Sequence, residues 1–319
     1  MEIRKSAFIN PCYQRPQQKQ LCMHFGLINT VRHLAMAQFD QKPITATDIK
    51  RYLETRDDFA LELRTFHACK MRGFVASHGG TYKDPLTQKS RQYDIRAYIQ
   101  RENCRVQLAV ECKSLRLFFP LVVSCTPRAA NESYHEVVRS VPLKPGKSPL
   151  PQNAKGVRLE GPDSVYRIGD PSGKATIQVG KSPKGEFVSG DSEVFEKWAQ
   201  AISSAEDLIA KSQDYLMQTD PCIYTVTLPV LVVPNETLWT VEYSDKGAKL
   251  SDPKQTRKCT FYIGKDVGSA FPLFKYTLSH LHIFAFDAFV GYLDRLAVND
   301  HYWNALIPAI TIERKVSDA

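Results

Sequence analysis

Two strand-like segments separated by a short polar stretch constrain this chain more than any other feature. Residues 93–100 (YDIRAYIQ) and 105–112 (RVQLAVEC) both show the two-residue alternation of β-strands. A tight hairpin between them would place Asp94 directly opposite Glu111, on the same face of the sheet. Two carboxylates that close repel each other, and a divalent cation bound between them removes the repulsion.

The second of these strands carries a further charged residue. Its apolar and small side chains share one face, so Glu111 and Lys113 are expected together on the other face. A strand end that presents Glu and Lys side by side could also simply be exposed to solvent. The facing Asp94 favours a functional site over that alternative.

A third acid is predicted to point to the same place. In a helix expected over residues 58–72, Phe59, Leu63 and Phe66 mark the predicted buried stripe, and Glu62 occupies a position within it. A carboxylate that faces the core needs a cation or a hydrogen-bond donor. A salt bridge to a basic neighbour is the alternative reading.

Carboxylates, a bound metal ion and a lysine are the components of metal-dependent phosphodiester hydrolysis. We expect Asp94, Glu111 and Glu62 to be the ligands of Mg²⁺ or Mn²⁺, both of which bind oxygen donors. Such an ion polarises the phosphoryl oxygen and lowers the pKa of a bound water. Lys113 would orient or deprotonate that water, or stabilise the charge that develops in the transition state.

These residues resemble a known superfamily. The segment YDIRAYIQRENCRVQLAVECK is similar to the Asp…Glu-x-Lys signature of the PD-(D/E)xK, or restriction-endonuclease-like, nucleases. Asp94 matches the first acid, Glu111 the second and Lys113 the lysine, while Glu62 matches an acid that some members carry on the first core helix. The resemblance implies an α/β fold with a mixed central sheet flanked by helices, and a Mg²⁺-dependent endonuclease whose substrate is double-stranded DNA.

The resemblance covers part of the chain. Residues 55–125 match well, whereas residues 190–240 match only in the order of their elements. Tyr93 stands where the signature has proline. A long segment also separates the Glu-x-Lys strand from the next predicted helix.

The chain is expected to contain an N-terminal helical extension, residues 1–54, and a nuclease-like domain, residues 55–319. The extension includes a predicted helix over 17–38 and a shorter one that, with the helix after it, could form a helix-turn-helix or a cap on the core. Residues 126–190 hold eight Pro and eight Gly, which predicts a loop- and β-rich insertion outside the core that shapes substrate access.

The charge distribution suits a polyanionic partner. Twelve Lys or Arg and four acids fall within residues 64–128, so that this segment accounts for the whole net charge of +8. The alternative is a solvated face without a partner. No apolar stretch reaches the roughly 18 residues of a membrane span and the N-terminus shows no signal peptide, so a cytoplasmic protein is expected.

Three functional hypotheses remain open from the sequence. The first is an active metal-dependent nuclease, and the second is a catalytically inactive nuclease-fold module that binds nucleic acid or another protein. The third is a basic adaptor whose acids and lysine form surface salt bridges. DNA or RNA as the substrate and the oligomeric state, including any homodimer, stay undetermined.

Overall fold

The chain divides into two compact units, Met1–Ala46 and Thr47–Ala319. The computed structural model describes residues 42–55, 57–85, 87–141, 154–190, 192–212, 222–267 and 275–317. The helix predicted over 17–38 lies outside the described residues.

The described chain begins and ends with helices, and one further long helix separates two runs of strands. The helices are α1 (Ala46–Thr55), α2 (Asp58–Met71), α3 (Ser192–Lys211), α4 (Phe286–Val298), α5 (Asp300–Leu306) and α6 (Ala309–Ser317). The strands are β1 (Val75–His78), β2 (Thr81–Lys83), β3 (Ser90–Gln92), β4 (Ile95–Arg101), β5 (Cys104–Cys112), β6 (Leu121–Pro127), β7 (Tyr134–Ser140), β8 (Ala154–Glu160), β9 (Pro171–Lys181), β10 (Phe187–Gly190), β11 (Ile223–Val233), β12 (Leu238–Glu242), β13 (Lys254–Gln255), β14 (Lys258–Asp266) and β15 (Thr277–Ala285). A helix with the length and apolarity to cross a bilayer does not occur in the described part of the chain.

Most of these strands belong to one large mixed sheet, so the predicted α/β class with a mixed central sheet is confirmed. Thirteen strands of the described chain join it, ten of them in the order β1-β4-β5-β11-β15-β14-β9-β6-β12-β13. Strand β7 pairs with β11 and β8, and β10 pairs with β9. Strands β2 and β3 form a separate two-stranded sheet.

The β4–β5 hairpin has the register that the sequence predicts. Ile95 pairs with Val110, and Ile99 pairs with Val106. Asp94 comes directly before β4 and Glu111 is the next-to-last residue of β5, so the register continues to the two acids. The strand alternation of the sequence therefore determines which side chains meet at this end of the hairpin.

The centre of the sheet is the parallel pair of β5 and β11, which are buried on both faces as parallel strands usually are. On one face, Val110 and Val230 pack in a cluster that includes Leu61 of α2 and Leu293 of α4. On the other face lies α3. The alternative that this end of β5 is exposed to solvent does not hold for Glu111, because that face is buried under α3.

The segment 126–190 is part of the sheet rather than an insertion outside the core. It contributes β7 through β10, and β9 pairs with both β6 and β14. Val137 of β7 and Leu159 of β8 are fully buried members of the same cluster as the central strands. Strands are present as predicted, but the prediction that this segment lies outside the core is wrong. Most of its described prolines and glycines lie between strands or at strand ends, where they do not interrupt the pairing.

Candidate functional site

A buried cluster of charged side chains lies where β4 and β5 meet α3. The Lys197 ammonium of α3 is 2.9 Å and 2.8 Å from the two carboxylate oxygens of Asp94. The same nitrogen lies 3.2 Å from Oε2 of Glu111. One cation thus bridges two acids that come from adjacent antiparallel strands.

Backbone hydrogen bonds fix the two carboxylates. The Cys112 N–H donates to Oδ2 of Asp94 at 2.8 Å, and the Asp94 N–H donates to Oε1 of Glu111 at 3.3 Å. Glu111 therefore accepts from the backbone of Asp94 itself, and Asp94 accepts from the backbone of the residue after Glu111. This reciprocal arrangement orients both carboxylates before any ligand arrives.

Burial gives the cluster unusual proton affinities. The Glu111 side chain is only 1% exposed, and burial followed by the neighbouring Asp94 charge raises its pKa to about 8. Burial alone would lower the pKa of Lys197, but the charges of Asp94 and Glu111 outweigh that effect and raise it. The ammonium is therefore held in its charged form while Glu111 sits close to its titration point at neutral pH.

Glu62 lies near this cluster from α2. Burial and the Asp94 charge raise the Glu62 pKa, while a hydrogen bond from His78 and the charge of Lys197 lower it. Its Oε2 lies 3.2 Å from Nε2 of His78. Glu62 is half-buried, and the face of α2 that carries it is turned toward the acids.

The predicted buried stripe of α2 is nevertheless wrong. Phe59 and Leu63 are exposed, and the buried residues of α2 are Leu61, Thr65, Ala68 and Cys69. The side of α2 that faces the sheet also carries Asp58 and Glu62, so apolar periodicity alone misplaces it. Polar residues on the packed face are what a helix next to a charged site requires.

Lys113 is positioned differently from the expectation. Its ammonium lies 2.8 Å from a carboxylate oxygen of Glu193 and 3.4 Å from one of Asp58. Asp58 also accepts a hydrogen bond from the Ser114 N–H at 2.5 Å. Lys113 therefore joins the first turns of α2 and α3, and the structure does not bring its amine to the Asp94–Glu111 pair.

Lys197 was not among the residues predicted from the sequence, although a signal for it exists. Val194 and Ala201 are fully buried apolar residues of α3, one on either side of Lys197. A lysine between them falls on the edge of the buried stripe, where an apolar residue is expected. A cation in such a place implies a buried acid opposite it.

The two carboxylates suit a hard divalent cation that keeps water ligands. They do not suit a structural metal ion whose ligands all come from the protein. No cluster of three or more His, Cys, Asp or Glu side chains able to hold a metal ion occurs in the part of the chain that the structure describes. Mg²⁺, however, is commonly bound by one or two carboxylates together with water and phosphate oxygens. Asp94 and Glu111 supply two carboxylates at one point, and Lys197 shows that this point holds positive charge.

A cavity of about 490 Å³, here called the Lys113 cavity, opens beside the cluster. Its lining includes the cations Lys113, Arg116 and Lys181 and the aromatic rings of Tyr52 and Phe118. Phe118 is largely exposed, and the Arg116 guanidinium lies over its ring, 5.3 Å from the ring centroid. Basic and aromatic groups are thus interleaved on one surface.

The basic surplus of residues 64–128 is partly neutralised by the fold. Within the described residues, at least six of its twelve cations form ion pairs: Arg72, Arg91, Arg96, Arg101, Lys113 and Arg128. All but Arg91 pair with acids from outside the segment. The net charge of residues 64–128 therefore overstates the positive charge of the surface that they form.

Comparison of this chain with protein-family models, with curated proteins and with solved structures gives no match.

Proposed function

We propose that this chain is a metal-dependent nuclease whose active centre comprises Asp94, Glu111 and Lys197, with Glu62 and Lys113 at its edges. The observation that carries the proposal is the contact of one ammonium with two carboxylates from adjacent strands. Such a pair of acids is costly to bury unless it serves to bind positive charge. Phosphodiester hydrolysis uses carboxylates of this kind to hold Mg²⁺ or Mn²⁺.

In this proposal the fold is a restriction-endonuclease-like core. The elements α2, β1, β4 and β5 follow one another in the order that the sequence resemblance implies, and the acids lie at the β4–β5 junction. Helix α3 packs on β5 and β11, which are parallel neighbours. Beyond β15, the strands β14, β9, β6, β12 and β13 extend this core.

Each residue has a distinct task in the proposed mechanism. Asp94 and Glu111 would hold the metal ion, which when bound polarises the scissile phosphate and lowers the pKa of the attacking water. Glu62 is close enough to Asp94 for the Asp94 charge to raise its pKa. Its carboxylate would accept a hydrogen bond from the attacking water. Lys197 would leave its bridging position for the phosphate and stabilise negative charge as it develops there.

The Lys113 cavity supports a nucleic-acid substrate over other polyanions. Arg116 and Lys181 lie where they can contact backbone phosphates, whereas Lys113 is paired with Asp58 and Glu193 of the same lining. Exposed Phe118 offers a flat surface on which a base can stack. Double-stranded DNA is the substrate that the sequence resemblance suggests. The aromatic surface adds a reason to test single strands beside it.

The direct test is cleavage of supercoiled plasmid, single-stranded DNA and RNA in Mg²⁺ or Mn²⁺. We expect cleavage by the wild-type chain that EDTA abolishes, and a loss of at least about a hundredfold in Asp94→Asn and Glu111→Gln. Asp245→Asn changes an exposed acid in a turn and should cleave like wild type. Equal rates in all four proteins would reject the proposal.

A second candidate function is a nuclease-like module that binds nucleic acid without cleaving it. The observation in its favour is that Lys197 already neutralises Asp94 and Glu111, so the acids are satisfied without a metal ion. This candidate predicts nucleic-acid binding that is unchanged by EDTA, with no cleavage of any of the three substrates. The same assay therefore separates the two candidates.

A further inference from the structure

A second cavity, of about 450 Å³, lies on the other face of the sheet and is here called the Arg128 cavity. His282 in its lining pairs with Val230, which packs in the cluster containing α4. Glu111 pairs with Leu231, which packs in the cluster containing α3. Neighbouring strand residues face opposite sides, so the Arg128 cavity is separated from the acidic cluster by the sheet itself.

The cavity contains a buried cation that the protein does not fully satisfy. The Arg128 side chain is 2% exposed, and it donates to the Arg167 carbonyl at 2.9 Å and to Oγ1 of Thr260 at 2.7 Å. Its buried Nε–H has no acceptor among the described residues. Among the described residues, the only carboxylate that pairs with Arg128 is that of Asp170. Its Oδ2 lies 3.6 Å from Nη1 of Arg128, and its side chain is more than half exposed. A buried cation with so little compensation favours an anion beside it.

Two exposed cations stand at the same cavity. Of the acids that line it, Asp170 is paired with Arg128, and Glu242 lies 2.6 Å from the Lys254 ammonium. Lys258 and Arg295 also line the cavity, and within the described residues neither forms an ion pair. The cavity lining therefore carries more positive than negative charge, and the excess lies on Lys258 and Arg295.

Aromatic side chains form another part of the lining. The Phe284 and Tyr292 rings are stacked with centroids 5.0 Å apart, and the His282 ring is stacked on Phe284 at 5.7 Å. The Nε2 atom of His282 lies 2.7 Å from the Tyr166 hydroxyl. Burial lowers the His282 pKa to about 4, so at neutral pH this ring adds aromatic surface rather than charge. The combination suits a ligand with one flat ring system and one anionic group.

We propose that the Arg128 cavity binds a nucleotide. Its phosphate would contact Lys258 and Arg295, with the Arg128 guanidinium behind them, and its base would pack against the aromatic lining. A volume of about 450 Å³ lies within the roughly 300–1,000 Å³ of small-ligand pockets, which is enough for a mononucleotide. The proposal does not depend on nuclease activity, because the residues involved lie across the sheet from Asp94 and Glu111.

Calorimetric titration of the full chain tests this proposal. The probes are the four common nucleoside 5′-monophosphates, the matching nucleosides and inorganic phosphate, with EDTA present so that metal-dependent binding at the acidic cluster is suppressed. We expect at least one monophosphate to bind, and its nucleoside and inorganic phosphate each to bind at least about tenfold more weakly. Absence of binding by all four at about millimolar concentration overturns the proposal, as does equal affinity for inorganic phosphate.

Two variants locate the binding, and a third is their control. Lys258→Gln and Arg295→Gln change exposed side chains, so the fold should persist, and each should weaken nucleotide binding by about tenfold. Lys184→Gln changes an exposed lysine in the turn after β9, whereas the cavity lies at the opposite end of that eleven-residue strand. Wild-type affinity is expected in the control. Unchanged affinity in both Lys258→Gln and Arg295→Gln rejects the site.

Discussion

Lys197 and Asp94 are 103 residues apart in the chain, yet the Lys197 ammonium contacts both carboxylate oxygens of Asp94 at 2.9 Å and 2.8 Å. The contact joins α3 to the start of β4. Glu111 completes it at 3.2 Å. This relationship defines the candidate site and brings Lys197, rather than Lys113, into contact with its acids.

Lys197→Met should lower the rate of Mg²⁺-dependent cleavage by about a hundredfold or more, because it removes a cation that would stabilise developing charge. Methionine keeps much of the length of the side chain, so packing changes little. Nucleic-acid binding should remain close to that of wild type, since the cations of the Lys113 cavity are intact. Single-turnover cleavage and a filter-binding assay measure the two quantities.

The matched control is Lys211→Met, which changes the last residue of the same helix and removes its ion pair with Asp207. We expect wild-type cleavage from it. Wild-type cleavage by Lys197→Met as well would remove Lys197 from the mechanism.

Lys113→Met should have a smaller effect on cleavage, of about tenfold. Its ammonium contacts Glu193 and Asp58 rather than Asp94 or Glu111, so it positions the first turns of α3 and α2. The measurement is the same single-turnover assay, with the rates of the two lysine variants compared directly. A larger loss in Lys113→Met than in Lys197→Met would assign the catalytic role to the lysine of the sequence signature.

The stability of the metal-free protein should fall as pH rises from about 5 to about 8, in part through Glu111. Burial and the Asp94 charge raise the Glu111 pKa from 4.5 to about 8, so in this range the folded state keeps a proton that the unfolded state releases. Unfolding therefore becomes easier with rising pH and levels off above about pH 8. Urea unfolding in EDTA at several pH values measures the trend.

Glu111→Gln should flatten this pH dependence, because its amide does not titrate. Added Mg²⁺ should stabilise the wild-type protein most at the upper end of the range, where it no longer competes with the proton. Parallel pH curves for wild type and variant would show that Glu111 does not hold its proton in this range.

Leu159→Ala should lower the free energy of unfolding by about 2–5 kcal/mol, as expected for a fully buried leucine. Leu159 lies in β8, within the segment that the sequence predicts to be outside the core. Leu250→Ala is the control, because Leu250 is largely exposed and its loss should change stability by less than about 0.5 kcal/mol. Denaturant unfolding of both variants measures the difference, and similar losses in the two would argue that β8 adds nothing to the core.

Several local features were predictable from the sequence alone. The alternation in β4 and β5 determined their pairing, because a shift of one residue would turn every buried side chain toward the wrong face. The start of α2 near Asp58 and its end before Gly73, which has a positive φ of 78°, follow from local backbone preferences. Asp94 and Glu111 meet for the same local reason, since a hairpin needs only a short loop.

Only the tertiary structure decided which other groups join Asp94 and Glu111. Lys197 reaches the acids because α3 packs on β5, and that contact joins segments about a hundred residues apart, which no local pattern encodes. Likewise β7 and β8 are core strands because β7 pairs with the start of β11, although their proline- and glycine-rich connections resemble loops in sequence. Five cations of residues 64–128 also pair with acids that lie outside this segment. Sequence periodicity acts over a few residues, whereas burial and charge pairing depend on which distant surfaces the fold brings together.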